Sequence, residues 1–265
     1  MSSEIPNAAR FASKVDNYVK YRPSYPVEVV RHLESIGALP AGAVVVDLGA
    51  GTGISAKLLL SNSANIAKLF AVEPSANMRA AAEASLADET AAGRVAFVDG
   101  SAHATTLPDA SADLIVAFQA MHWFDPAQTR AELLRIAKPG AYLAAVWNHR
   151  FTENNPLNAD LDQLLVKHAV DYAKVSHGAL EEHKLPAFFG PGEIKCFKSS
   201  NSQTFDEEGF LRRQESSSYF PAPTHPNYDG AVAAVRALYA KYKDAEGKIT
   251  LVYETRAYYA KVHSQ

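Results

Sequence analysis

Asp47 is followed by glycines at 49, 51 and 53 in VVVDLGAGTG, Val44 to Gly53. That spacing states a chemical requirement: backbone N–H groups must come close to a ligand with no Cβ in the way. A diphosphate does not fit the pattern. A dinucleotide fingerprint needs a third glycine at position 54, where Ile54 stands, and the loop of nucleotide hydrolases needs a Gly-Lys-Ser/Thr run that does not follow. Two later acids suggest the ligand instead. Glu73 ends the second apolar run, where a carboxylate can accept both hydroxyls of a ribose; its plainer reading is a surface acid at a strand end. Asp99, in Asp99-Gly100-Ser101-Ala102, ends the third run and can accept from an adenine amino group while the N–H groups of Ser101 and Ala102 meet ring nitrogens. The plainer reading there is an Asp-Gly turn. Ribose and adenine without pyrophosphate describe a nucleoside cofactor.

A second set of residues gathers where the fourth apolar run ends. In open α/β sheets the ligand crevice lies beyond the carboxyl ends of the strands, which places Gln119, Met121, His122 and Trp123 at its mouth. His122 is the side chain most able to act near neutral pH, as a general base or as a cation steering an anionic acceptor; packing beside Trp123 is the alternative. Upstream, Tyr21, Arg22 and Tyr25 precede the first strand, and Arg22 offers a bidentate fork for a carboxylate. Trp147, Arg150 and Tyr219 are candidate acceptor-pocket residues, each also readable as structural. Asp125 before Pro126 reads as a helix N-cap rather than a catalyst. No metal is expected, because the histidines lack ligand spacing and the mouth offers only this one acid.

These side chains need a scaffold that delivers them to one edge. Strand-like runs at 43–47, 69–73, 95–99, 113–118 and 141–147 alternate with helical stretches, among them Ser75–Leu86 and one from Asp125 punctuated by Pro139-Gly140. Such alternation predicts βαβ units and a parallel sheet covered on both faces. Beyond Trp147 the pattern predicts helices at 159–172, 207–215 and 228–243 and strands at 194–205 and 249–262, the middle forming a lid and the late strands completing the sheet.

Composition bounds the function. A chain of 265 residues, 48% hydrophobic, suits one α/β domain with a cap. A net charge of −3 without a dense basic tract disfavours nucleic acid as a partner. A single cysteine, Cys196, precludes an internal disulfide framework, and the first residues lack signal-peptide features, so a cytoplasmic protein with no membrane span is expected.

In the order DLGAGTG, AVEPSANM, VDGSAHATTLPDASADLIVAFQAMHWFD and IAKPGAYLAAVWN, residues 11 to 150 resemble the class I S-adenosylmethionine-dependent methyltransferases, in particular the methyltransferase type 11 group with its trans-aconitate methyltransferase-like members. The resemblance implies a Rossmann-like, seven-stranded, mostly parallel sheet in the order 3-2-1-4-5-7-6, strand 7 antiparallel, with helices on both faces and a small helical cap. By position, Asp47, Gly49, Gly51 and Gln119 would face the methionine part of S-adenosyl-L-methionine, Glu73 the ribose, and Asp99, Ser101 and Ala102 the adenine. Residues 1–27, with Arg22, would cover the cofactor and 28–150 bind it. Residues 151–193 and 206–245 would shape the acceptor site, and 194–205 and 246–265 would complete the sheet. The implied reaction is methylation of a small-molecule acceptor at an oxygen, carboxylate or enol, releasing S-adenosyl-L-homocysteine, by a monomer or homodimer. The alternatives are a protein that binds the cofactor without transferring its methyl, and a nicotinamide oxidoreductase, which the absent third glycine disfavours.

Overall fold

The computed structural model describes residues 20–170, 172 and 184–262. Expectations for residues 1–19 of the covering segment, and for 171 and 173–183 of the cap, lie outside the described residues.

Helix α1 (Val27–Ser35) leads into strand β1 (Ala43–Leu48), followed by α2 (Ile54–Asn62), β2 (Ile66–Val72), α3 (Ala76–Ser85), α4 (Ala87–Ala91), β3 (Val95–Val98) and β4 (Ala112–Phe118). A short 3-10 turn (Met121–Trp123) precedes α5 (Pro126–Ile136) and β5 (Ala137–His149). Then come α6 (Pro156–His168), α7 (Leu185–Phe189), β6 (Lys195–Phe205), α8 (Glu207–Glu215), α9 (Tyr228–Tyr242) and β7 (Ile249–Lys261). Helix α5 stops at Ile136, so Pro139-Gly140 does not end a helix: it lies in the exposed start of β5, which runs on through Trp147 to His149.

Seven strands form one mixed sheet in the order β3-β2-β1-β4-β5-β7-β6, as expected. The pairs β1–β2, β1–β4, β2–β3 and β4–β5 are parallel. The last residues of β7 meet the first of β5, where Val262 N–H donates to the Ala141 carbonyl at 2.7 Å, the pairing an antiparallel neighbour makes. Central strands read as continuous apolar runs because both their faces are covered: Val45, Val46, Leu114, Ile115, Val116 and Ala117 have no exposed surface. The edge strand β6 alternates exposed and half-buried residues, with Lys195, Lys198, Ser200, Ser202 and Thr204 exposed, polar side chains that blunt a sheet edge.

The chain divides into two compact units. The larger comprises Ser24–Trp147, Glu181–Ser199 and Thr255–Gln265, and the smaller Met1–Pro23, Asn148–Leu180 and Ser200–Glu254. In the smaller, α6 is fastened to α9 where Asp160 accepts from Lys241 Nζ at 2.7 Å and from the Tyr242 hydroxyl at 2.8 Å. Asp206 caps α8 by accepting from Gly209 N–H at 2.8 Å, with acids in its first turn and arginines in its last, as the helix dipole favours.

In the larger unit one buried carboxylate fixes the loop that follows β3. Glu132 on α5 accepts from the Thr105 N–H at 2.8 Å and the Thr105 hydroxyl at 2.5 Å, and pairs with Arg135 at 2.7 Å. Arg135 in turn donates to the Leu107 carbonyl at 2.7 Å and reaches Asp109. The Arg135 hydrogen bond, ahead of those from Thr105 and despite burial, holds the Glu132 carboxyl down at about 2. Replacing Glu132 by alanine orphans both Thr105 donors and is expected to cost about 1–3 kcal/mol in denaturant unfolding at neutral pH. Because the folded value lies below the ordinary 4.5, that contribution is present above about pH 4.5 and is lost as pH falls towards 2, so wild type and variant should converge in acid. An equal gap at pH 3 and pH 7 would contradict this account.

Candidate functional site

The carboxyl end of β1 carries an acid where the sheet is most enclosed. Asp47 pairs in register with Ala71 on one side and Val116 on the other, and has no exposed surface. One carboxylate oxygen accepts from the Ser55 hydroxyl at 2.5 Å, while Oδ1 is buried with no hydrogen-bond partner. Burial raises its pKa to about 7; the Ser55 bond opposes the rise and the charge of Glu73 adds to it.

Immediately beyond, Gly49, Gly51 and Gly53 all take the left-handed conformation, at φ of +68°, +56° and +83°. Only one of the three leaves room for a ligand. A Cβ on Gly49 would sit 2.8 Å from Ala120 Cβ, and one on Gly53 would press on Ala82 and Leu86 at 3.2 and 3.1 Å, whereas the nearest atom to one on Gly51 is 4.0 Å away. The outer two glycines let the turn pack and start α2, and the middle one faces open space.

Glu73, one residue past β2, holds this turn in place. Its carboxylate accepts from Gly51 N–H at 3.0 Å and from Ser75 N–H at 2.9 Å. Burial raises its pKa, against those two bonds and the nearby Arg79. Arg79 donates to the Glu73 carbonyl at 2.6 Å and pairs with Asp99 at 2.9 Å, joining the ends of β2 and β3. Asp99 itself is mostly exposed. Ser101 N–H is already spent on the Ala104 carbonyl at 3.1 Å, in a reciprocal pair that shapes the turn around Ala102, so Ser101 N–H is not available to an adenine ring as the sequence suggests.

At the end of β4, Gln119 adopts φ +52°, unusual for a side chain with a Cβ, and buries an Oε1 that has no partner. Next to it the 3-10 turn presents His122 against Trp123, ring centroids 4.6 Å apart. Trp147 is fully buried on β5 and its indole donates to His122 Nδ1 at 3.4 Å. An indole nitrogen can only donate, so Nδ1 is the acceptor and the neutral ring carries its proton on Nε2. Asp125 is the N-cap expected of it, accepting from Gln128 N–H at 2.8 Å. Tyr25 packs edge-on against Phe118 at 4.7 Å and belongs to the core.

The remaining candidates lie in the smaller unit. The Tyr21 carbonyl accepts from Gln203 at 3.2 Å. Arg150 donates to the Tyr172 hydroxyl at 3.2 Å, and the Tyr172 ring meets Tyr219 edge-on at 4.9 Å. Tyr219 is buried, which raises its pKa, yet the charges of Arg150, Arg213 and Arg22 prevail and bring it to about 8. Three side chains escaped the sequence reading: Ser55, Arg79 and Arg213. Ser55 and Arg79 stand in the first turn of the helices after β1 and β2, a signal available once those strands are placed. Arg213, in an Arg-Arg pair of a charged helix, gives no such signal.

Between its ordinary 3.8 and about 7, folded Asp47 holds a proton that the unfolded chain releases, so its effect on stability is to weaken the fold as pH rises through that window. Asp47→Asn should therefore flatten the fall in urea midpoint between about pH 4 and about pH 7. An unchanged slope in the variant would show that Asp47 titrates normally.

Comparison with known proteins places these features. The family model described as Methyltransferase domain matches residues 46–145, the stretch that contains the glycine turn, Glu73, Asp99, Gln119 and His122. An uncharacterized methyltransferase of Mycobacterium tuberculosis is 38% identical over 141 residues, covering 53% of this chain and 52% of that protein. The match thus spans about half the length of the curated relatives. A structure from Anaeromyxobacter dehalogenans described as a type II methyltransferase is 23% identical, covers 92% of this chain and 100% of its own, and superposes with a TM-score of 0.65. The cyclase SpnF, 18% identical with 93% of each chain covered, superposes at 0.52. The strand order and these likenesses give the chain a Rossmann-like methyltransferase fold.

Proposed function

We propose that the protein is an S-adenosylmethionine-dependent methyltransferase acting on a small-molecule acceptor at oxygen. The observation that carries the reading is the constellation at the end of β1: a buried carboxylate with one unpartnered oxygen beside a turn whose middle glycine opens to space, braced by Glu73. The residues present fit the cofactor. Asp47 Oδ1 suits the ammonium of an amino-acid tail, which would favour its ionised form, and Gly51 suits close approach of that tail. Glu73 retains lone pairs for ribose hydroxyls beyond the two N–H groups it accepts. Asp99 would meet the adenine amino group while paired with Arg79. When bound, S-adenosylmethionine supplies a methyl group already activated on a sulfonium.

What this chain must add is alignment and exclusion of water. With Nδ1 engaged by Trp147 and the proton on Nε2, His122 is a hydrogen-bond donor in its neutral form rather than a base. An acceptor that is ionised before it binds needs no base, which favours a carboxylate over an alcohol or ammonium and agrees with the trans-aconitate methyltransferase-like branch. Residues 1–27, 151–193 and 206–245 would then cover the cofactor and shape the acceptor site, in a cytoplasmic monomer or homodimer. The second reading is cofactor binding without methyl transfer.

The test is S-adenosylhomocysteine formation from purified protein, donor and a panel of small organic acids. Tight donor binding without turnover across the panel would support the second reading. Glu73→Ala should weaken donor binding by about 1–3 kcal/mol, the effect of losing a charged hydrogen-bonding partner, and calorimetry showing unchanged affinity would remove Glu73 from the site. His122→Ala should lower turnover with donor affinity nearly preserved; equal losses in both would mean a packing role.

A further inference from the structure

A cavity of about 330 Å³ opens in the larger unit, at the end of the sheet away from the glycine turn. Tyr142, which lines it, pairs in register with Leu114 near the start of β4, whereas Gln119 and His122 follow the other end of that strand. Tyr259 and Lys261 join it from the end of β7, where Val262 N–H is bonded to the Ala141 carbonyl. None of the candidate cofactor or acceptor residues lines this cavity. Its size is that of a site for a small organic ligand.

The walls are aromatic and held in place. Phe189, the last residue of α7, is 2% exposed, and Tyr142 and Tyr259 are half-buried. Tyr142 is fixed by donating its hydroxyl to the Ile36 carbonyl at 3.2 Å, and Tyr259 meets His32 edge-on at 4.9 Å. The Tyr259 hydroxyl has no hydrogen bond among the described residues. Behind the wall, Arg130 of α5 donates to the Phe188 carbonyl at 3.3 Å and occupies the space that a side chain at Gly190 would need. The rim carries charge. Lys195, Lys261 and Glu193 are exposed there, and none of them forms an ion pair among the described residues. The Lys261 ammonium stands 5.7 Å from the centroid of the Tyr142 ring, which places a cation above the aromatic wall.

We propose that this cavity binds a planar aromatic monocarboxylate, its ring against Tyr142, Tyr259 and Phe189 and its carboxylate on Lys195 and Lys261. Aromatic walls favour a flat ring, and the open Tyr259 hydroxyl can donate to the acid. Two lysines against one acid leave a single net positive charge, which one carboxylate balances. A dianion brings a further charge that Glu193 opposes, and an uncharged ring leaves both ammoniums unmet. The site lies apart from the glycine turn, so the proposal does not rest on the methyl-transfer reading.

The experiment is calorimetric titration of the full chain with naphthoate, acetate and naphthyl phosphate at equal ionic strength. Naphthoate should bind saturably, acetate should not, and naphthyl phosphate should bind more weakly than naphthoate. Lys195→Gln and Lys261→Gln should each weaken naphthoate about threefold or more, and the double variant about tenfold or more, as loss of partly exposed charge pairs does. Ala260→Phe puts a ring into the cavity and should abolish binding while keeping a cooperative thermal transition. If that variant fails to fold, the exposed lysine variants still decide. Absence of saturable naphthoate binding to wild type would overturn the proposal. So would tighter binding of the phosphate ester, or unchanged affinity in the double lysine variant, which would put the ring in another groove. Naphthoate binding in a protein that forms no S-adenosylhomocysteine with any acceptor would leave this site standing and remove the methyl-transfer reading alone.

Discussion

Everything at the cofactor end of the sheet depends on a carboxylate placed where water cannot reach it. Asp47 sits between two parallel neighbours with one oxygen satisfied by Ser55 and the other by nothing, so the fold carries an unmet electrostatic demand at the end of a central, buried strand. Such an atom is tolerated when a ligand supplies the missing partner. The glycine turn, its brace at Glu73 and the clamp of Arg79 are arranged around that demand. Together they tie the ends of β1, β2 and β3 to one another.

Much of this frame was legible in the sequence, because parallel sheets announce themselves through apolar runs of fixed length and helices between them. The strand order came from the resemblance to the methyltransferases, whereas the N-cap at Asp125 and the place of Glu73 at the end of the second strand follow from local text. The reason for each glycine does not. Spacing suggests that all three make way for a ligand, yet Gly49 and Gly53 make way for Ala120 and Ala82, which lie tens of positions away. The tautomer of His122 is equally hidden, since it is set by an indole on a different strand. Strand limits moved by a few residues for a similar reason: β5 continues through Trp147 because pairing with neighbours, not its own composition, decides where it stops.

The smaller unit was harder to read because the chain contributes to it in separate pieces. Arg22, Arg150 and the pair Arg213 and Tyr219 come from three segments far apart in the sequence. Their meaning comes from charge balance. A helix bearing Glu207, Glu208 and Glu215 could have neutralised every arginine near it, but Arg212 takes Glu208 and Glu215, Arg236 takes Glu207, and Arg213 is left with a hydroxyl.

The knot of Glu132 with Thr105 has one further bearing. Helix α5 is capped by Asp125, shortly after the turn that carries His122, and the same helix grips the loop that follows Asp99 and Ala102. The turn that carries His122 and the loop that follows Asp99 and Ala102 are therefore both tied to one helix. The partly exposed Arg135, which holds Glu132, Leu107 and Asp109 together, is thus the outer anchor of that tie, although it stands apart from every candidate site residue.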